Sequence, residues 1–253
     1  MSFSLGLKNM NVDFSGKTAL ITGAGQGIGN ALVTKLVECK ANVIAVSRTQ
    51  SRLDELKQRL PQIEIICCDL GNWNETRHKL SQVCDSVDML VNNAAFAQGA
   101  SVGKIEEQLI DKHINVNVKA PINLMQLVGE GMRKRGKGSI VNVSSVAGVA
   151  ALDDHTVYAA TKAALDMITR VGAKEWGRHN IRVNSINPTV VWTEMGRAGW
   201  SRPEKSQEML AKIPMNRFVE VEEVVYPIIF LLSDYSSMIN GIQLPIDGGF
   251  LAN

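Results

Sequence analysis

The chain has 253 residues, 45% of them apolar and 21% charged, with a formal net charge of +2. That length suits one large domain with a full core, and the composition is that of a globular protein rather than a disordered or fibrous one. The near-neutral balance gives no electrostatic case for a nucleic-acid partner, and no apolar run reaches the roughly 20 residues needed to span a bilayer.

Residues 1–15 read as a short extension. The opening Met1–Lys8 lacks a charged segment followed by a sustained apolar core, so no signal peptide is expected. Residues 16–253 then alternate short apolar runs with amphipathic stretches. Strands are expected at Thr18–Ile21, Asn42–Val46, Ile63–Cys67, Val87–Val91, Ser139–Val143, Ile181–Ile186 and Gln243–Ile246. Helices are expected between them, at Ile28–Glu38, Ser51–Leu60 with Ser51 as N-cap, Trp73–Val83, Ile105–Asn115, Pro121–Arg135, Thr156–Arg178 and Val221–Leu232. Pro227 falls inside the last and should kink it. This alternation predicts an α/β fold, a seven-stranded parallel sheet covered by helices on both faces. Thr193–Asn216 breaks the rhythm and reads as a mobile lid, residues 193–216.

The four cysteines, Cys39, Cys67, Cys68 and Cys84, form no C-x-x-C, and Cys67-Cys68 continues an apolar run. They read as small core residues rather than metal ligands or bridges, so no metal is expected and a reducing, cytoplasmic compartment fits. The basic run Arg133–Lys137 reads as a solvated helix end, where cations favour the negative end of the helix dipole.

Thr22-Gly23-Ala24-Gly25-Gln26-Gly27-Ile28-Gly29 lies where the first strand meets the first helix. Glycines there allow a tight turn and close approach of a pyrophosphate to the helix N-terminus. The second strand ends in Ser47-Arg48-Thr49. An acid at that point would bind a ribose 2′-hydroxyl, whereas a guanidinium suits a 2′-phosphate, so NADP(H) is the expected cofactor. The alternative is that Arg48 only opens a surface loop.

Tyr158 and Lys162 stand four residues apart on one expected helix face. A nearby ammonium favours the phenolate, so the tyrosine pKa should fall from about 10 toward the working range, making a proton donor or acceptor for a substrate oxygen. Ser144-Ser145 closes a strand shortly upstream.

In this order the glycine string T-G-x-x-x-G-x-G, Asp69-Leu70, Asn92-Asn93-Ala94-Ala95, a serine, Y-x-x-x-K and Asn187-Pro188 resemble the short-chain dehydrogenases/reductases, from about Gly16 to Gly249. The resemblance implies a single Rossmann-like doubly wound domain, often tetrameric, that transfers hydride between NADP(H) and a small-molecule carbonyl substrate. It implies Tyr158 as acid/base and Lys162 as the group that tunes it and holds the nicotinamide ribose. Ser145, thirteen residues before the tyrosine, would polarise the carbonyl, with Ser144 the lesser candidate. Asn117 would order a proton-relay water, with Asn115 a near-register competitor that reads as an exposed helix position. Gly23, Gln26, Gly27, Ile28 and Gly29 would carry the phosphates, Ser47, Arg48 and Thr49 the 2′-phosphate, and Asp69 and Leu70 the adenine. Asn92 and Ala94 would lie beside the cofactor, and Pro188, Val191 and Thr193 beside the nicotinamide. Two departures stand out: Gln26 replaces a residue that is basic in many NADP-preferring relatives, and Ala95 and Thr189 replace frequent glycines.

Within the family, Val46–Gln50, Cys68–Trp73, Asn187–Val191 and Gly199–Ser201 are similar to the branch that reduces L-xylulose and small α-dicarbonyls with NADPH. That likeness implies His155 and Trp200 as substrate-pocket residues beside Ser145 and Tyr158. His155 could equally face solvent, and Trp200 could wall the pocket or anchor the lid. Reduction of another carbonyl, such as a 3-oxoacyl thioester or a steroid ketone, and a non-catalytic NADPH-binding scaffold both stay open.

Overall fold

Thr18–Thr22 (β1) and Met89–Asn92 (β4) are almost wholly buried, as strands covered by helices on both faces must be. The computed structural model describes residues 12–252, so most of the expected extension at 1–15 lies outside the described residues. The other strands are Asn42–Ser47 (β2), Glu64–Cys67 (β3), Gly138–Val143 (β5), Ile181–Pro188 (β6) and Gln243–Ile246 (β7). All pairings are parallel, in the order β3-β2-β1-β4-β5-β6-β7.

Period-two alternation sorts the side chains between two cores. Ile44, Leu20, Leu90, Ile140 and Val183 lie in register across five strands and pack with Leu80, Leu124 and Val128 on one face. Ala19, Ile21, Val43, Val91 and Val141 face the other way, onto Leu32, Leu36, Leu56, Val224 and Ile228. The supporting helices are Gly27–Glu38 (α1), Gln50–Arg59 (α2), Trp73–Cys84 (α3), Glu107–Ile114 (α4), Ala120–Arg135 (α5), Thr156–Trp176 (α6), Glu194–Trp200 (α7), Pro203–Leu210 (α8) and Val221–Leu232 (α9). The chain leaves β1 toward β2 on one side and returns to β4 on the other, which opens a crevice at the carboxyl ends of the strands.

Three local expectations are corrected or refined. The helices expected at Ile105–Asn115 and Pro121–Arg135 are one unbroken helical run, because Asn115–Lys119 is π-helical and joins α4 to α5. Pro121 has no N–H for the Asn117 carbonyl four residues back, and the wider π turn, with Ala120 N–H bonded to the Asn115 carbonyl, carries the chain past it. Ser51 is not an N-cap: α2 begins at Gln50 after Thr49, whose side chain makes no capping bond. The region Thr193–Asn216 contains two short helices, α7 and α8. Elsewhere α9 continues through Pro227, and α5 ends at Gly136 in the left-handed conformation (φ 63°), as its basic last turn suggested.

Candidate active site

The glycine turn between β1 and α1 is held by its neighbours. Gly23 (φ 65°) and Gly27 (φ 53°) are left-handed, and a Cβ on Gly29 would stand 2.3 Å from the Gly23 carbonyl oxygen. The backbone N–H groups of Asn93 and Ala94 donate to Thr22 Oγ1 at 2.9 and 3.0 Å, while Asn93 Nδ2 donates to the Thr22 carbonyl at 2.9 Å. Beyond this turn a cleft of about 990 Å³ runs along the strand ends, from Ser47, Arg48, Thr49, Asp69 and Leu70 to Ser145, Tyr158 and Trp200.

At the far end α6 brings Tyr158 and Lys162 to the cleft beside Ser145. Lys162 is 2% exposed, and its Nζ donates to the Val143 carbonyl at 2.7 Å and lies 5.5 Å from the centre of the Tyr158 ring. Burial draws the Lys162 ammonium down to about 8, against the pull of Asp166. Burial also pushes the Tyr158 phenol up to about 12, and the Ser145 hydroxyl only partly offsets this. The expected lowering of the tyrosine is therefore not found: desolvation dominates, and the Lys162 ammonium is turned to the Val143 carbonyl.

Ser144 and Ser145 are separated by what their hydroxyls do. Ser144 Oγ donates to the Lys162 carbonyl at 3.1 Å, whereas Ser145 Oγ makes a long 3.5 Å contact to the Pro188 carbonyl, accepts from the Ala147 N–H and interacts with the Tyr158 phenol. Beneath them Asn187 Nδ2 donates to the Ser145 carbonyl at 3.1 Å and to Asp166 Oδ2 at 2.8 Å, and Ser185 Oγ donates to Asp166 Oδ1 at 3.0 Å. This network braces the serine from below. His155 meets Tyr158 edge to face, ring centres 6.0 Å apart, and stacks on Trp200 at 6.1 Å, so both line the cleft rather than solvent.

The residues present fit a dinucleotide. The cradle has no room for side chains where the glycines stand: a Cβ on Gly25 would lie 2.8 Å from Ser47 Oγ. Thr189 Oγ1 is buried at the cleft wall with no hydrogen-bond partner, a polar atom that a bound group would satisfy.

Residues 23–251 match a family model described as enoyl-(acyl carrier protein) reductase. The chain is 50% identical to the L-xylulose reductase of Mus musculus over 244 residues, which covers 96% of this chain and 100% of that protein. A putative NAD(P)-dependent gluconate 5-dehydrogenase from Beutenbergia cavernae, solved with bound NADP, superposes with a TM-score of 0.90 at 31% identity, covering 96% of this chain and 100% of that one. A short-chain type dehydrogenase/reductase from Mycobacterium ulcerans does so at 0.90 and 27% identity, covering 95% and 92%. The chain is a short-chain dehydrogenase/reductase.

Most of the residues expected at the reductase's site line its cleft; Gly29, Asn92 and Asn117 do not. Gly29 packs under the turn. Asn92 points into the sheet, where its Nδ2 donates to Asn142 Oδ1 at 2.8 Å; its neighbour Asn93 lines the cleft instead. The Asn117 carboxamide is spent within the protein, accepting from the Phe96 N–H at 2.8 Å and donating to the Phe96 carbonyl at 2.9 Å and Thr161 Oγ1 at 3.1 Å. Its side chain is thus committed to pinning the Phe96 segment against α6. Asn115, half-buried, accepts from Lys119 Nζ at 2.9 Å. Sequence reasoning missed Asn93, which lies just past the end of β4 inside the Asn92–Ala95 motif, and Asp166 and Arg52, for which no local signal exists. Among the described residues, no helix is long and apolar enough to cross a membrane.

Proposed function

We propose that this reductase uses NADPH to reduce L-xylulose to xylitol and small α-dicarbonyls to hydroxy ketones. The observation that carries the reading is the meeting of Ser145, Tyr158 and Lys162 at one end of the cleft, under the His155–Trp200 stack. The identity of 50% to an L-xylulose reductase over nearly the whole chain supports the choice of substrate.

In this mechanism NADPH, held along the glycine turn, supplies the hydride. Ser145 and Tyr158 bond the substrate oxygen, and those bonds strengthen as charge develops on it. A phenol held near 12 is fully protonated at neutral pH, which suits the donor of a reduction. Lys162 stands behind Tyr158 as the cation that stabilises the phenolate left after transfer, and Asn117 positions the segment above it. His155 offers a ring nitrogen to a polyol and Trp200 an apolar wall. Residues 193–216 form the lid of a single domain, 16–253.

Purified protein with L-xylulose and with diacetyl should oxidise NADPH faster than NADH. Tyr158→Phe should lose about 100-fold or more of the turnover while binding cofactor normally. Turnover of only a 3-oxoacyl thioester or a steroid ketone would sink the substrate assignment, and NADPH binding without any turnover would favour the scaffold. We also place the reductase in the cytoplasm as a homotetramer, supported by exposed Met167 and Val171 one turn apart on α6. A monomer by light scattering at micromolar concentration would remove the assembly.

A further inference from the structure

Arg52 lines the cleft beside Ser47, Arg48 and Thr49. It sits in the first turn of α2 with its stem against Gly25, as the Ser47 hydroxyl is: a Cβ on Gly25 would lie 3.1 Å from Arg52 Cβ and 2.8 Å from Ser47 Oγ. Two guanidinium groups, Arg48 and Arg52, therefore flank the start of α2 at the end of the cleft where Gln26 brings no charge.

The Arg52 guanidinium is held by a carboxylate from the far side of the chain. Its Nη2 donates to Glu194 at 3.1 and 3.3 Å, across 142 positions of sequence. Glu194 is the first residue of α7 and follows Thr193, whose side chain rests over the glycine turn, 3.2 Å from where a Cβ on Gly27 would be. Both partners are open to water, with side chains 36% and 67% exposed, and an ion pair so exposed is weak. A phosphate monoester carries about 1.5 to 2 negative charges at neutral pH and accepts two guanidinium bonds side by side, so it competes well against one screened carboxylate.

Resting on the NADPH reading above, we propose that Arg52 is a second guanidinium for the cofactor's 2′-phosphate and that Glu194 competes for it. The two residues together set how strongly this reductase prefers NADPH to NADH. Arg48 supplies the standing contact, and the Arg52–Glu194 pair sets the margin.

The test is calorimetric titration of the full chain with adenosine 2′,5′-bisphosphate, adenosine 5′-monophosphate, NADPH and NADH. Arg52→Ala should weaken the two 2′-phosphorylated ligands about tenfold, the scale of one charge-assisted hydrogen bond, and the other two less than about twofold. Glu194→Gln should tighten the phosphorylated pair about threefold, a gain that vanishes in the double variant. Both side chains are exposed, so unchanged melting temperatures should accompany these shifts. Equal weakening of all four ligands in Arg52→Ala, or no gain in Glu194→Gln, would make the pair a structural tie and overturn the proposal. A wild-type chain that does not distinguish the bisphosphate from the monophosphate would remove the NADPH reading itself, and the proposal with it.

Discussion

Arg48 and Arg52 stand at one end of the cleft in contact with water, and Lys162 stands at the other, 2% exposed and bonded to a backbone carbonyl. The first two are free to exchange partners, at little cost in a screened environment. The third is locked over a buried network of Asp166, Ser185 and Asn187 that also grips the backbone of Ser145. Recognition at the exposed end is adjustable by single charges, while chemistry at the buried end depends on groups whose positions are set before the substrate arrives.

The sharpest way to break this contrast is Ser145→Ala. If the braced serine polarises the carbonyl, kcat should fall about 100-fold with NADPH affinity unchanged. Single-turnover rates that stay near wild type would remove the serine from the chemistry.

A smaller effect follows from the buried ammonium. Lys162 is drawn from 10.5 to about 8 in the folded chain, so between those values the unfolded chain holds a proton that the folded chain has lost. Folding stability from this group therefore rises with pH across that window, and its cost is fully present below about pH 8. Tyr158, raised from 10.0 to about 12, acts oppositely above pH 10, because the unfolded chain gives up its proton first. Denaturant titrations from pH 8 to 10 should thus show wild type gaining stability relative to Lys162→Met. Parallel curves would mean that the ammonium is solvated.

Much of the frame was legible in the linear chain because parallel strands advertise themselves as apolar runs between amphipathic stretches. The glycine string was legible because its place between strand and helix has one steric meaning. Asn92 shows a subtler limit: it is the last residue of β4 and turns into the sheet toward Asn142, while the cleft is lined from Asn93 onward, a boundary that the apolar pattern does not mark. The Tyr158 phenol was misjudged in direction because spacing reveals the neighbouring charge and says nothing of desolvation. Arg52 and Glu194 meet only through tertiary folding, and the π turn was hidden because Pro121 looked like the start of a new helix.

That π turn, Asn115–Lys119, amounts to one residue more than a regular helix needs. Removing a single residue there would let α4 and α5 join as ordinary α-helix with their outer faces kept roughly in phase, whereas the same deletion in a regular α-helix turns one part by about 100° against the other. Asn117 lies inside the wide turn, so closing it would redraw the backbone from which the side chain reaches both Phe96 and Thr161. A one-codon deletion at this spot would therefore act on the hold of Asn117 on Phe96 and α6 rather than on the alignment of α4 with α5, so descendants of this gene should keep the extra residue wherever they keep that hold.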